Sequence, residues 1–116
     1  MAPVNINLTI EQGSDYEATF TITNDDGSAL NLTGYNAEAE LRKHYASTSS
    51  KSFVISFVDR LAGEIAVSMA STVTSTLSEG RYVYDIVLTS SALTKSRVIQ
   101  GNIIVNPGVT LWLIIM

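Results

Sequence analysis

His44 is the only imidazole in the chain, and cysteine is absent. Any nucleophilic mechanism would have to activate a serine or threonine with this one base, using a carboxylate to orient the ring and paired donors to receive an oxyanion. His44 stands between Lys43 and Tyr45 at the end of an alternating run, and nothing resembles the Gly-x-Ser-x-Gly elbow that lifts a nucleophilic serine out of a sheet. It reads as a surface histidine, and the chain as non-enzymatic. Asp25 and Asp26, with Asp15 or Asp59 brought near by folding, would offer hard oxygen ligands to Ca²⁺, but a calcium loop spaces its ligands at alternate positions around a glycine. Asn24-Asp25-Asp26-Gly27 lacks that spacing and reads as a turn. Neither a glycine-rich phosphate loop nor a metal-ligand spacing occurs, so no metal and no cofactor are expected.

Tyr82 and Tyr84 lie two apart in Gly80-Arg-Tyr-Val-Tyr-Asp-Ile-Val-Leu-Thr89. Aromatics so placed can stack on sugars, yet these two share a face with Ile86 and Leu88, which points to core packing. Asp85 is a charge in the middle of the most apolar strand, projecting with Val83 and Val87 on the opposite face. The spacing predicts a cross-strand pair with an Arg or Lys; the alternative is an interface residue. The formal charge is −4, and the seven lysines and arginines are scattered. Phosphate binding needs them clustered, so nucleic acid is not an expected partner, and Arg42-Lys43-His44 reads as a solvated strand end.

These residues must be positioned by strands. A chain of 116 residues has room for one domain, and without cysteine it must hold together by packing and strand pairing alone. Alternation of apolar and polar residues predicts seven or eight short strands. Val4 to Ile10 reads as one strand, broken by Gly13-Ser14. Tyr16 to Thr23 places Tyr16, Ala18, Phe20 and Ile22 inward, and the Asn24–Gly27 turn follows. Leu30 and Leu32 pin a crossing between sheets, and Tyr35 to Leu41 alternates again. The polar stretch from Tyr45 to Ser52 reads as a mobile surface loop joining two strands of one meander. Phe53 to Val58 and Glu64 to Ala70 send Phe53, Ile55, Phe57, Ile65, Val67 and Met69 inward. Between Ser71 and Ser78 a single helical turn is expected, capped by Ser71, with Val73 and Leu77 on its inner side. The Tyr82–Leu88 strand comes next, then a hairpin over 90–95. The last strand, Arg97 to Val105, should carry Ile99, Ile103 and Val105 on one face, with Val98 and Ile104 on the other.

This pattern predicts an all-β fold, an antiparallel immunoglobulin-like β-sandwich over residues 1–108, with a small barrel as the structural alternative. Residues 109–116 form an apolar tail or an added edge strand. The N-terminus, Met-Ala-Pro-Val-Asn-Ile-Asn-Leu, lacks the basic and long apolar regions of a secretory signal, so export by the general route is not expected. The tail falls far short of the ~20 apolar residues that span a bilayer, so no membrane contact is expected either.

The order of segments carries a resemblance. Ile10-Glu-Gln-Gly-Ser-Asp-Tyr-Glu-Ala-Thr-Phe-Thr-Ile, Asn24-Asp-Asp-Gly, Leu32-Thr-Gly-Tyr, Ala37-Glu-Ala-Glu-Leu-Arg, Gly63-Glu-Ile and Gly80-Arg-Tyr-Val-Tyr-Asp-Ile follow one another as in small β-sandwich modules of tailed-bacteriophage virion proteins. The chain looks like the N-terminal domain of upper baseplate proteins and modules of tail-fibre and neck proteins, over about Val4 to Pro107. The resemblance implies a non-catalytic module that docks one virion component onto another, assembled in the host bacterial cytoplasm and repeated by symmetry as a homo-oligomer. It supplies no catalytic residues. A carbohydrate- or host-surface-binding module of the same fold is the alternative, and would need a solvent-open aromatic platform with polar partners.

The tail is a second pointer to assembly. Seven of the eight residues Val109-Thr-Leu-Trp-Leu-Ile-Ile-Met116 are apolar, and burying Leu111, Trp112, Leu113, Ile114 or Ile115 is worth roughly 1.5–3 kcal/mol each. These five are the expected interface residues, pairing with a sheet edge or a neighbouring copy. An extra strand within the same domain and a reading-frame accident at the end of a partial gene are the alternatives.

Overall fold

A computed structural model describes residues 3–109. In chain order the elements are β1 (Val4–Asn5), β2 (Leu8–Glu11), β3 (Tyr16–Thr21), β4 (Asn36–Arg42), β5 (Lys51–Ser52), β6 (Val54–Asp59), β7 (Glu64–Met69), α1 (Ser71–Thr74), β8 (Gly80–Thr89) and β9 (Lys95–Asn106). They form two packed sheets. The larger runs β1-β9-β8-β4-β5, with β2 also on β9; the smaller runs β3-β7-β6. Assigning third, seventh and sixth strands to one sheet, and ninth, eighth, fourth and fifth to the other, is the strand arrangement of an immunoglobulin-like sandwich. Tyr82 adds a local mark of that fold: near the start of β8, its hydroxyl donates to Ser78 O at 2.9 Å, four residues upstream, closing a tyrosine corner.

The apolar positions of β3, β7 and β8 are those the alternation predicted. Phe20, Ile65, Val67, Met69, Tyr82, Tyr84, Ile86 and Leu88 are buried between the sheets, while Val54 and Val58 of β6 face solvent. Leu32 is fully buried in the crossing from β3 to β4. Arg60 fastens that crossing: its Nη1 donates to Leu32 O at 2.8 Å and Tyr35 O at 2.9 Å, and its guanidinium lies 3.8 Å from the Phe57 ring centroid.

Four details differ from the sequence reading. The ladders are antiparallel except that β1 and β2 run parallel to β9, because period-two alternation names a strand's faces but not its partner. The expected strand from Val4 to Ile10 is split at Ile6-Asn7, although Val4↔Ile99 and Leu8↔Ile103 keep one register. There the Ile6 carbonyl occupies the space a Cβ at Gly101 would need, Tyr84 Oη donates to Ile6 O at 2.6 Å, and Asn102 N donates to Asn7 Oδ1 at 3.0 Å. Third, the segment from Tyr45 to Ser52 does not join two strands of one meander. It ends as β5 against Glu40 and Leu41, after which Phe53 crosses to the smaller sheet, its N–H bonded to Ala39 O at 2.9 Å. Fourth, Val98 is buried alongside Ile99, because pairing passes from Ile86↔Ile99 to Val87↔Arg97 and leaves Val98 as the extra residue of a β-bulge.

Candidate functional site

The residues singled out for chemistry fall in separate places. His44 is exposed in the turn after β4, where Nδ1 lies 3.0 Å from Ser47 Oγ, and the same hydroxyl accepts the His44 N–H at 3.2 Å. The serine–histidine contact is thus part of a local turn, and no carboxylate is hydrogen-bonded to the ring among the described residues. Asp26 accepts from the Ser28 hydroxyl at 2.6 Å and the Ser28 N–H at 2.9 Å, and these bonds hold its carboxyl below the usual range. Asp59 accepts from Leu61 N and Ala62 N, and Asp15 from Ser71 N at 2.7 Å. The carboxylates weighed as calcium ligands are therefore divided among three turns.

Tyr82 and Tyr84 are 7% and 4% exposed, which places them in the core and not on a sugar platform. Burial, followed by the neighbouring Tyr16, pushes the Tyr84 phenol well above its ordinary range. Asp85 makes the expected cross-strand pair: Arg97 Nε donates to its Oδ2 at 3.0 Å. The interface residues Leu111, Trp112, Leu113, Ile114 and Ile115, and the boundary they define, lie outside the described residues.

What the register brings together is a polar row across the outer face of the larger sheet. Asn5, Gln100, Asp85 and Glu40 stand opposite one another on β1, β9, β8 and β4. Glu40 and Asp85 are like charges at directly paired positions, which is destabilising unless countercharges intervene. Arg42 Nη2 meets Glu40 Oε1 at 3.1 Å and Arg97 meets Asp85, while Gln100 Nε2 donates to Asn5 Oδ1 at 3.2 Å. A shallow cleft of about 200 Å³ opens over this row, and Tyr45, 79% exposed, stands at its rim. The arrangement supplies hydrogen-bond donors, acceptors and one aromatic plane. It contains no activated nucleophile.

No family model matches this chain. No curated protein matches it either. Among solved structures it is similar to the Listeria monocytogenes internalin-like protein lmo2027, at 14% identity and a TM-score of 0.42 over 91% of this chain and 28% of that one. It is also similar to murine CRIg, at 11% identity and a TM-score of 0.40 over 88% of this chain and 92% of that one. The chain spans well under two thirds of the internalin-like structure.

Sequence reasoning flagged Asp85 but missed Glu40, Arg97 and Gln100 as its neighbours. The outward positions of Glu40 and Gln100 were legible, whereas Arg97 shares the parity of Ile99 and is turned outward only by the bulge at Val98, which also shifts the β8–β9 register by one residue. A second surface was also missed. Val54 and Val58 on β6, with Leu61 in the turn that follows, are 66%, 57% and 71% exposed.

Proposed function

We propose that this chain is a non-enzymatic structural or adaptor module of a tailed-phage or prophage virion, working in a tail, baseplate or neck through contacts with other virion proteins and with further copies of itself. The observation that carries the assembly reading is the solvent exposure of Val54 and Val58 on the edge strand β6 and of Leu61 in the turn after it, since exposed apolar side chains are available for protein contacts. The virion context rests on the ordered segments from Ile10 to Ile86. Sedimentation across a range of concentrations tests it: the expected result is a mass of several chains that falls toward one chain on dilution, and a lower association constant for Val54→Asp. A monomer at every concentration that binds none of the virion proteins encoded beside it overturns the reading.

One observation favours the carbohydrate- or host-surface-binding alternative: Tyr45 stands open beside Glu40, Asp85 and Gln100. Under that reading, titration with oligosaccharides shifts the amide resonances of Gln100 and Asp85, and Tyr45→Ala abolishes the shifts.

A further inference from the structure

The basic residues at the end of β4 do more than solvate a strand end. Lys43, just past Arg42, lays its ammonium 4.6 Å from the centroid of the Tyr82 ring, whose electron-rich face attracts a cation. That ring is itself held in place, because its hydroxyl donates to Ser78 O. A Cβ on Gly80 would stand 2.8 Å from Lys43 Nζ, and glycine leaves the ammonium that space. Lys43 is thus seated by an aromatic face and a missing side chain, not by a carboxylate.

Arg42, Lys43 and Lys51 line a cleft of about 170 Å³, to which Ser49 and Ser50 contribute hydroxyls and no Asp or Glu contributes at all. Three positive charges therefore converge in a chain whose net charge is −4. Arg42 is already engaged: its guanidinium meets Glu40 Oε1 at 3.1 Å and donates to Ser47 O at 2.7 Å. Lys43 and Lys51 have no carboxylate within ion-pair distance among the described residues.

We propose that this cleft is an anion site that takes a dianionic phosphate group, either inorganic phosphate or a phosphate monoester. Such a group carries a charge of about −1.5 to −2 at neutral pH, which the ammoniums of Lys43 and Lys51 balance. Ammonium and hydroxyl donors act as point contacts and suit a tetrahedral oxyanion, whereas a planar carboxylate is best matched by a guanidinium fork. Here that fork is spent on Glu40 and Ser47 O. A nucleic-acid backbone presents single charges in a row and calls for cations along a track; these three are gathered at one point. The site shares no residue with Val54, Val58 and Leu61, so it is independent of the assembly reading.

The test follows the amide resonances of Ser49, Ser50 and Gly80 while inorganic phosphate, glycerol phosphate or dimethyl phosphate is added to the full chain at an ionic strength held constant with chloride. The expected result is saturable shifts with the two dianions and binding at least about tenfold weaker for the dimethyl monoanion. Tighter binding of inorganic phosphate identifies the free anion as the ligand, tighter binding of glycerol phosphate an esterified one, and equal binding the phosphate group itself. Lys43→Met and Lys51→Met each keep an apolar stem and remove a charge, and each should weaken binding by about tenfold with an unchanged circular-dichroism spectrum. Lys95→Met, at an ammonium 3.6 Å from Glu38, should leave binding as it was. Shifts that do not saturate, that chloride alone reproduces, that dimethyl phosphate produces as strongly, or that persist undiminished in Lys43→Met and Lys51→Met overturn the proposal.

Discussion

Thr74 is fully buried in the single helical turn, and its hydroxyl does the work of a small clasp. It donates to Ser14 O at 2.8 Å and accepts from Gly13 N at 3.2 Å, tying α1 to the turn between β2 and β3. Thr74→Val keeps the shape and removes both bonds, so it should cost about 1–3 kcal/mol in chemical denaturation. Sequence reasoning expected Ser71 to cap this turn and Val73 with Leu77 to face inward. Leu77 is buried, but the cap comes from Asp15, whose carboxylate accepts the Ser71 N–H. Nothing local marks one threonine in a run rich in serine and threonine, and a cap supplied from 56 residues away leaves no local pattern. Tyr84 gives the pH prediction. Burial raises its folded pKa above the unfolded value, so its contribution is intact below about pH 10 and is lost as pH rises further, when the unfolded phenol ionises and the folded one does not. Stability should decline above that pH with a shallower slope in Tyr84→Phe. The same substitution should cost about 1 kcal/mol at neutral pH through the lost bond to Ile6 O.

The strands differ in how plainly they could be read. β3 and β8 bury every second residue along their length, and β7 does so apart from the small Ala66, buried between Ile65 and Val67, so their residues announce both element and orientation. β1 and β2 alternate too, but their partner is the last strand, and no local pattern encodes a pairing between residues 95 positions apart. Neither the bulge at Val98 nor the interruption at Ile6-Asn7 was legible, since each is set by an approach between strands. Gly101 is where that approach is tightest. Gly101→Ala puts a methyl group against the Ile6 carbonyl and Asn7 Oδ1 and should cost about 1–3 kcal/mol. Hydrogen exchange should localise the damage to the β1–β9 pairing, with the Ile6 amide, bonded to Gln100 O at 2.9 Å, losing protection first. The polar row of the candidate site inherits the same difficulty: each outward residue was visible, and the line they form was not.

At the scale of the molecule, the larger sheet closes only when Leu8 meets Ile103 and Ile10 meets Val105. Such non-local pairing slows folding, and refolding followed by stopped-flow tyrosine fluorescence should take milliseconds to seconds, not microseconds. The surface ion pairs are a minor part of stability: Asp85→Asn, at a pair whose side chains are 36% and 55% exposed, should change it by less than about 1 kcal/mol. Parallel pairing of β1 and β2 with β9 has a mechanical consequence. Chain preceding Val4 enters at one pole of the sandwich, and chain following Asn106 leaves at the other. A pull on the two ends therefore slides the first and last strands past each other along their length, loading their ladder bonds together in shear instead of unzipping them singly.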